Sequence, residues 1–421
     1  MTVVIMAGGR GTRMVEFRSE VPKPMIEICG RPVLQYQITC LREQGYSDIV
    51  LMIGHLGDVI ENFFGDGSEY GVNITYVKEE EPLGTAGALY FLKDIVTDDF
   101  LLINGDIIFD VDIERFRKTH KKNGALATIL IHPNNHPYDS GIIITSDDAR
   151  VSGWLTKEEK RGWYKNRVNA GLHMISPELL ERFERPKKKD LDRDVLKPLI
   201  AEKNLYAYDS PEYIKDMGTP ERYGEAVREM RAGLVSRRSL RNRQRAVFLD
   251  RDGTINKYAG FLTDINKFEL ADGVSDAVKL INEQGLLCIV ITNQPAIARG
   301  ELTVSELKEI HNKMETLLGE NDAYVDDIFY CPHHPDRGFE GERSEYKMDC
   351  ECRKPKPGLI LQAAKKYNIG LSASWMIGDS ESDVQAGINA GCRVAFIGEK
   401  KIPEADSYRD LLTCIRMILK R

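Results

Sequence analysis

The chain has 421 residues, of which 42% are hydrophobic and 29% charged, and its net charge is −7 at pH 7. This length favours at least two domains. The acidic balance argues against nucleic acid as a partner, and the lack of a run of about 18 apolar residues argues against a membrane span. Since no charged leader precedes the first apolar stretch and the eight cysteines are too sparse for a disulfide scaffold, we expect a cytoplasmic location.

Short apolar runs alternate with helical patterns along the first half of the chain. Strands that alternate with helices in this way are typical of a doubly wound, parallel α/β sheet. The predicted strands are 2–6, 48–53, 73–77 and 99–103, and the predicted helices are 33–44, 57–64 and 84–93. The pattern restarts later, with strands predicted at 246–249, 286–291, 325–330, 374–377 and 393–397. We therefore predict two Rossmann-like α/β domains.

A basic stretch separates these halves. Residues 231–245 are rich in arginine and poor in apolar residues, which is typical of a linker. A nucleic-acid-binding arm is the alternative, but the stretch is short and the remainder of the chain is acidic. We predict an N-terminal domain at 1–230, a linker at 231–245 and a C-terminal domain at 246–421.

A glycine-rich loop, AGGRGTR at 7–13, follows the first predicted strand. Glycine lets backbone N–H groups approach an anion closely, and arginine adds positive charge. Lys23 lies between two prolines, and a fixed lysine suits a phosphate that gains negative charge. Asp106 and Asp216, both at predicted strand ends, could together hold Mg²⁺ on a triphosphate. Each feature alone also fits a turn, a surface lysine or a helix cap.

Together with EPLGTAG at 81–87, NGD at 104–106, VNAG at 168–171 and KDMGTPERY at 215–223, these residues resemble the sugar-phosphate nucleotidyltransferases. The resemblance implies in-line attack of a sugar 1-phosphate on a nucleoside triphosphate, with release of pyrophosphate and no covalent intermediate. The implied residues are Arg13 and Lys23 for catalysis, Asp106 and Asp216 for magnesium, and Gly8, Gly9, Gly11, Thr12, Glu81, Gly84, Asn169 and Gly171 for binding.

One segment departs from the pattern of that family. Many members carry Phe-x-Glu-Lys-Pro where this chain has WLTKE at 154–158. The resemblance implies that Lys157 still reaches the sugar phosphate, whereas no glutamate stands at the position that contacts the sugar.

Two aspartates, Asp250 and Asp252, follow the apolar strand predicted at 246–249. In extended backbone their side chains project to the same side, and Arg251 points away. Such a pair suits a nucleophile and a general acid/base. The alternative is an Asp-x-Asp-Gly turn without chemistry.

Further residues favour the chemical interpretation. Thr292 ends another apolar strand, where its hydroxyl could bind phosphate, and Lys354 precedes a helix predicted at 357–367. Asp379 ends a third strand and could ligate Mg²⁺ beside Asp250. This set resembles the haloacid-dehalogenase superfamily, which implies that Asp250 forms an aspartyl-phosphate. The resemblance also implies that Asp252 protonates the leaving group and then activates water.

A cluster of cysteine and histidine residues lies in the same half. Cys-x-His and Cys-x-Cys pairs, separated by 16 residues, provide a closed tetrahedral set of the structural zinc type. The four predicted ligands are Cys331, His333, Cys350 and Cys352. His334 is a substitute for His333, and unligated cysteines are the alternative. Because Arg353 and Lys354 follow the last cysteine, we expect the zinc loop to position the phosphate-binding lysine.

The stretches FLDRDGTIN at 248–256, TNQPAIARGE at 292–301, CPHHPD at 331–336 and CECRKPKPG at 350–358 narrow the resemblance. They are similar to heptose 1,7-bisphosphate phosphatases and histidinol-phosphatases, which have a minimal cap. The implied residues are Asp250 and Asp252 for catalysis, Thr292, Asn293, Arg353 and Lys354 for binding, and Asp250, Asp252 and Asp379 for magnesium. A second substrate phosphate would contact Arg353, with Arg337, Arg343 and Lys347 adding positive charge.

The N-terminal half also resembles heptose 1-phosphate guanylyltransferases, with NGDIIFDVDI at 104–113. The combined resemblance implies a bifunctional enzyme that makes GDP-heptose for surface glycans. Its ligands would be a nucleoside triphosphate, sugar phosphates, Mg²⁺ at both sites and one structural Zn²⁺, and homo-oligomer formation stays open. A mannose- or glucose-1-phosphate nucleotidyltransferase fused to a general or histidinol-phosphate-like phosphatase is the first alternative. A regulator with inert sites is the second, although every expected catalytic side chain is present.

Overall fold

The computed structural model describes residues 1–8 and 21–420. The chain divides into two compact units. The first unit comprises Met1–His132, Ile143–Leu155 and Asn169–Ser239, and the second comprises Pro133–Ile142, Thr156–Val168 and Leu240–Arg421. Two short stretches of the first half of the sequence thus belong to the second unit. Within the described residues, no helix is both long and apolar enough to traverse a lipid bilayer.

Among the described residues, the first unit contains a nine-stranded sheet, two separate pairs of short strands and six α-helices. Its strands are β1 Val3–Met6, β2 Glu27–Ile28, β3 Arg31–Pro32, β4 Asp48–Ile53, β5 Asn73–Lys78, β6 Phe100–Asn104, β7 Ile107–Asp110, β8 Ala127–His132, β9 Ile142–Thr145, β10 Val151–Leu155, β11 Val168–Ile175, β12 Leu205–Asp209 and β13 Tyr213–Asp216. Its helices are α1 Val33–Glu43, α2 Gly57–Phe64, α3 Ile113–Asn123, α4 Pro198–Ala201, α5 Pro220–Arg231 and α6 Leu234–Arg237.

The main sheet has the strand order β10-β9-β11-β6-β1-β4-β5, with β8 paired to β11 and β12 paired to β8. The central strands β1, β4, β5 and β6 run parallel, whereas β11 is antiparallel to β6. The sheet as a whole is therefore mixed, while the four strands predicted in this half pair in parallel as expected. The parallel part is buried on both faces: Val3 and Ile5 pack into one core cluster and Val4 into another. This burial explains why its strands are continuous apolar runs in the sequence.

The prediction of an α-helix at 84–93 was wrong, because a 3₁₀ helix spans Gly87–Leu92 instead. The preceding loop is held against the backbone of another segment, where the Ala86 N–H donates to the Lys189 carbonyl oxygen at 3.0 Å. A Cβ atom on Gly87 would lie 2.2 Å from the Lys187 carbonyl oxygen. This close backbone contact fixes the loop before a regular α-helix can begin.

The second unit is built on a six-stranded, fully parallel sheet in the order β16-β15-β14-β17-β18-β19. Its strands are β14 Ala246–Leu249, β15 Leu287–Asn293, β16 Asp327–Cys331, β17 Trp375–Gly378, β18 Arg393–Ile397 and β19 Asp406–Tyr408. Its helices are α7 Val274–Glu283, α8 Val304–Gly319, α9 Gly358–Tyr367, α10 Glu381–Ala390 and α11 Leu411–Ile418. The strand order reverses at β14, and ligands of such sheets bind at the carboxyl ends beside this switch point.

Candidate active sites

A cavity of about 630 Å³ opens in the first unit where β1, β4 and β6 end. Four of the predicted site residues line it together: Gly8, Lys23, Gly84 and Asp106. Asn104, Glu79 and Glu80 also contribute to its wall. Loops that end parallel strands therefore gather a glycine, a lysine and an aspartate around a space large enough for a small-molecule ligand.

The two aspartates predicted to hold a metal lie next to each other. Strand β13 pairs with β7 so that Asp216 stands opposite Ile107, and the Met217 N–H donates to the Asp106 carbonyl oxygen at 3.0 Å. Lys23 Nζ contacts the Asp106 carboxylate directly. Arg222, which the sequence analysis did not single out, places Nη1 at 2.9 and 3.0 Å from the two Asp216 oxygens. Each carboxylate is thus paired with a cation.

Gly171 and Asn169 lie beside the cavity wall. Gly171 has φ +77°, and a Cβ atom there would lie 2.6 Å from Asn104 Nδ2. Asn169 Nδ2 donates to Asp192 Oδ1 at 3.3 Å, and its Oδ1 accepts from the Gly171 N–H at 3.3 Å. This arrangement fixes the Asn169 amide between a backbone N–H and a carboxylate.

Burial shifts the pKa of two side chains next to Asn169, those of Asp192 and His173. Burial raises the pKa of Asp192 to about 6, and the nearby Asp190 charge adds to this shift. Burial lowers the pKa of His173 to about 4, so its ring is neutral at pH 7. Neither residue was predicted from the sequence.

The raised pKa of Asp192 predicts a pH-dependent stability. In the folded chain Asp192 takes up its proton near pH 6, against 3.8 for a free aspartate. Between these values the folded state binds more protons than the unfolded state, so the free energy of unfolding falls as pH rises. We expect Asp192→Asn to raise the free energy of unfolding at pH 8 by about 1–2 kcal/mol and to flatten its slope between pH 4 and 6. Urea unfolding at pH 4, 6 and 8 measures this; an unchanged slope would contradict it.

The other residues predicted for this site are not among the described residues that line the cavity. Gly9, Gly11, Thr12 and Arg13 are outside the described residues. Glu81 is exposed, and its neighbours line the cavity instead. Lys157 belongs to the second unit, where its Nζ lies 3.1 Å from Asp139 Oδ1 and where it lines a separate cavity of about 420 Å³ with Trp163 and Tyr164.

The second unit gathers a lysine and three carboxylates at the carboxyl ends of β14 and β17. Lys354 Nζ lies 2.7 Å from Asp250 Oδ1 and 2.6 Å from Asp383 Oδ1. Carboxylate oxygens of Asp250, Asp379 and Asp383 all lie within 4.8 Å of one another. Burial and the Asp383 charge raise the pKa of Asp250 to about 7, although Lys354 opposes this shift. Burial and Asp383 likewise raise the pKa of Asp379 to about 6.

Asp383 was not predicted as a site residue. It forms a capping box with Ser380 at the start of α10, and this local role accounts for an aspartate at that position. The ion pair with Lys354 depends on contacts between distant segments, which no sequence pattern reveals.

These carboxylates fit a divalent cation. Three neighbouring carboxylates that repel one another would be stabilised by Mg²⁺, which prefers oxygen ligands. Gly253 leaves room for them: it has φ +83°, and a Cβ atom there would lie 1.9 Å from Asp379 Oδ2. The loop after β14 therefore needs glycine both for its backbone and for the approach of Asp379.

Gly253→Ala tests this requirement. We expect the added methyl group to displace Asp379, to cost about 1–3 kcal/mol of folding free energy and to lower phosphate release at least about 100-fold. Thermal unfolding and a phosphate-release assay measure both effects. Gly260→Ala is the matched control, because Gly260 has φ +69° but a Cβ atom there would meet nothing within 4 Å. If both variants lose activity equally, crowding of Asp379 is not the cause.

The prediction that Arg251 points away from the aspartates was wrong. Strand β14 ends at Leu249, so the alternation of side chains does not extend to this residue. The Arg251 side chain is fully buried, and its Nη2 lies 2.8 Å from each Asp252 oxygen. The Asp252 carboxylate is bound by Arg251 and is not part of the cluster of Asp250, Asp379 and Asp383, in which the sequence had predicted it as a magnesium ligand.

The predicted phosphate-binding residues surround Lys354. Asn293 Oδ1 accepts from the Lys354 N–H at 3.0 Å, and Asn293 Nδ2 donates to the Lys354 carbonyl oxygen at 3.1 Å. Thr292 is buried, and its hydroxyl oxygen accepts from Gln294 Nε2 at 2.9 Å. Arg353 Nη1 donates to the His333 carbonyl oxygen at 3.3 Å. Lys354 is thus fixed through both its backbone and its ammonium group.

The four predicted metal ligands Cys331, His333, Cys350 and Cys352 also come together, with their ligand atoms within 4.8 Å of one another. The three sulfur atoms lie 3.2 to 3.5 Å apart, and His333 Nδ1 is 3.2 Å from the Cys352 sulfur. None of these cysteines is in a disulfide. His334, the predicted substitute, instead accepts a hydrogen bond from the Asp336 N–H through Nδ1. Three thiols and one imidazole are a donor set that suits tetrahedral zinc.

Comparisons with known proteins found matches to both halves of the chain. The nucleotidyl transferase family model matches residues 2–233, more than half of the chain, and an HAD-hydrolase-like model matches residues 351–408. D-glycero-beta-D-manno-heptose-1,7-bisphosphate 7-phosphatase of Escherichia coli K12 is 41% identical over 168 residues, which are 39% of this chain and 86% of the relative. The chain belongs to the nucleotidyl transferase family and to the family of these phosphatases.

Two further relatives match the chain. Mannose-1-phosphate guanyltransferase 2 of Candida glabrata is 34% identical over 227 residues, which are 52% of this chain and 62% of the relative. The crystal structure of HddC from Yersinia pseudotuberculosis is 26% identical, covers 54% of this chain and 99% of its own, and has a TM-score of 0.48. Through its two families, the nucleotidyltransferase–phosphatase combines nucleotidyl transfer with hydrolysis of a phosphate ester.

Proposed function

We propose that the phosphatase unit removes the 7-phosphate of D-glycero-D-manno-heptose 1,7-bisphosphate and that the nucleotidyltransferase unit transfers GMP from GTP to the resulting heptose 1-phosphate. The observation that carries this proposal is the 41% identity to a heptose-bisphosphate 7-phosphatase in a chain that is also a nucleotidyltransferase. The product of the first reaction is a sugar 1-phosphate, which is the class of nucleophile that the second reaction consumes.

Asp250 is the proposed nucleophile of the phosphatase. Its carboxylate attacks phosphorus, the bond from phosphorus to the C7 oxygen breaks, and Asp252 gives a proton to that oxygen. Water then attacks phosphorus and gives a proton back to Asp252, and the bond from phosphorus to the Asp250 oxygen breaks, which releases inorganic phosphate and restores the Asp250 carboxylate. Thr292 and Lys354 hold the phosphoryl oxygens, since both lie at the same end of the sheet.

Two metals support these steps. Asp250, Asp379 and Asp383 provide the oxygen donors for Mg²⁺, which would offset their mutual repulsion and the charge of the phosphate. Cys331, His333, Cys350 and Cys352 would bind a structural Zn²⁺ that fixes the loop before Lys354.

In the nucleotidyltransferase, Asp106 and Asp216 would hold Mg²⁺ on the triphosphate, and Lys23 would stabilise charge on the phosphates. The heptose 1-phosphate oxygen attacks the α-phosphorus, and the bond to the β-phosphate oxygen breaks to release pyrophosphate. Asn169 and Gly171, which lie behind Asn104 of the cavity wall, would contact the sugar.

Mass spectrometry of the products from purified protein, Mg²⁺, heptose 1,7-bisphosphate and GTP tests the whole proposal. We expect GDP-heptose and inorganic phosphate. Heptose 1-phosphate alone would support the phosphatase and contradict GTP or heptose 1-phosphate as the transferase substrate. Unchanged bisphosphate would overturn the proposed substrate.

The Candida relative favours one alternative for the nucleotidyltransferase unit. Its name specifies mannose 1-phosphate, and it is 34% identical over 52% of this chain. The two sugar phosphates, mannose 1-phosphate and heptose 1-phosphate, should therefore be tested as substrates at equal concentration. Each should be tested in turn with GTP, ATP, UTP and CTP. A higher kcat/KM for mannose 1-phosphate would favour this alternative.

A further inference from the structure

Two neighbouring side chains, those of Arg251 and Gln294, donate hydrogen bonds to the Asp252 carboxylate in the phosphatase unit. Arg251 places Nε at 3.1 Å and Nη2 at 2.8 Å from Asp252 Oδ1, and Nη2 also lies 2.8 Å from Oδ2. Gln294 Nε2 donates to Asp252 Oδ2 at 2.8 Å. The carboxylate of a general acid/base thus has both oxygens engaged by neighbouring side chains.

The arginine is itself fixed. Its side chain has no solvent exposure, and its Nη1 lies 3.2 Å from Nε2 of His311 on α8. Burial and the Arg251 charge lower the pKa of His311, so the ring is neutral and accepts the hydrogen bond. A planar guanidinium with both ends bonded cannot rotate freely, and it transmits this rigidity to Asp252.

Neither Arg251 nor Gln294 has a side chain exposed enough to bind substrate directly. Arg251 is 0% exposed and Gln294 is 3% exposed. The Gln294 amide is oriented further by Thr292, whose hydroxyl oxygen accepts from the same Nε2 at 2.9 Å. Their contacts therefore point to a role exerted through Asp252.

We propose that Arg251 and Gln294 are positioning residues that aim Asp252 at the leaving-group oxygen, with His311 holding the arginine in place. The inference rests on the proposed phosphatase function, in which Asp252 gives a proton to the departing alkoxide. A misdirected Asp252 would slow that proton transfer and the later deprotonation of water. Attack of Asp250 on phosphorus would itself be unaffected.

The test compares leaving groups. A sugar alkoxide needs a proton as it departs, whereas p-nitrophenolate is a weak base and departs without one. For Arg251→Met we expect kcat on heptose 1,7-bisphosphate to fall about 100-fold with KM unchanged, and for Gln294→Leu about 10-fold. In rapid-quench experiments with p-nitrophenyl phosphate, both variants should still release one equivalent of p-nitrophenolate per enzyme in a burst. The aspartyl-phosphate should then accumulate.

Three comparisons make the outcome decisive. Arg251→Lys keeps the charge and should recover part of the lost kcat. Arg167→Met is the matched control, because Arg167 is an equally buried arginine of the second unit, paired with Glu315 at 3.1 Å. Arg167→Met should lower the stability of the protein without changing the ratio of the first-turnover rates on the two esters. If Arg251→Met does not fold, Gln294→Leu still decides the question.

Equal losses in the first-turnover rate of leaving-group release from both esters, or loss of the burst, would overturn the positioning role. A different result would overturn the proposed substrate instead. In that case the wild type does not hydrolyse the bisphosphate, but the variants still show the expected burst with p-nitrophenyl phosphate. The two failures are therefore distinguishable.

Discussion

Replacing Asp250 by asparagine is expected to lower phosphatase turnover at least about 10⁴-fold, because it removes the nucleophile. The change should not unfold the unit. Asp250 is buried beside Asp383, and its raised pKa of about 7 shows that its charge is unfavourable there. Lys354 keeps Asp383 as its partner at 2.6 Å. The free energy of unfolding at pH 8 should therefore not decrease.

The measurement is phosphate release from heptose 1,7-bisphosphate, together with nucleotidyl transfer to heptose 1-phosphate. Asp250→Asn should leave nucleotidyl transfer unchanged, since Asp250 lies in the second unit. Asp106→Ala is the reciprocal variant, which should abolish nucleotidyl transfer and spare phosphate release. If either folded variant loses both activities, the assignment of one reaction to each unit is wrong.

Much of the phosphatase site could be predicted because its residues follow apolar strands. Strand β14 was predicted at 246–249 and observed at Ala246–Leu249, and Asp250 follows it directly. Parallel strands bring such positions to one edge of a sheet, so Asp250 and Asp379 meet although they lie far apart in the sequence. Motifs at strand ends are thus informative about a site even before the fold is known.

Residues whose side chains act across segments could not be predicted in this way. Arg251 lies beyond the last strand residue, where side-chain alternation no longer applies. Asp383 is accounted for locally by its capping box, and Arg222 lies on α5 without a local role. The ion pairs of Asp383 with Lys354 and of Arg222 with Asp216 arise only when distant loops meet.

The first unit shows the same limit for backbone direction. The apolar runs of β1, β4 and β6 were predicted, and their parallel pairing was confirmed. The antiparallel course of β11 could not be predicted, because an apolar strand buried on both faces has the same sequence pattern in either direction.

Loss of the cysteine cluster is the second change with a large expected effect. Cys352 lies two residues before Lys354, and its sulfur is 3.2 Å from the sulfurs of Cys331 and Cys350. Without a metal these thiols would no longer tie the segment before Lys354 to the end of β16. Structural zinc sites contribute about 10 kcal/mol or more in small domains, so even part of that contribution is large for one loop. We expect Cys352→Ser to lower phosphatase kcat at least about 100-fold and to lower the melting temperature of the phosphatase unit.

Metal analysis of the purified protein, thermal unfolding and both activity assays measure this effect. The wild type should contain one equivalent of zinc, Cys352→Ser less, and nucleotidyl transfer should be the same in both. Cys392→Ser is the matched control, since Cys392 is partly buried in the same unit but outside the cluster. Its zinc content and phosphatase activity should equal those of the wild type. Full phosphatase activity in protein verified to be free of zinc would show that the cluster does not position Lys354, because the Asn293 hydrogen bonds to the Lys354 backbone would then suffice.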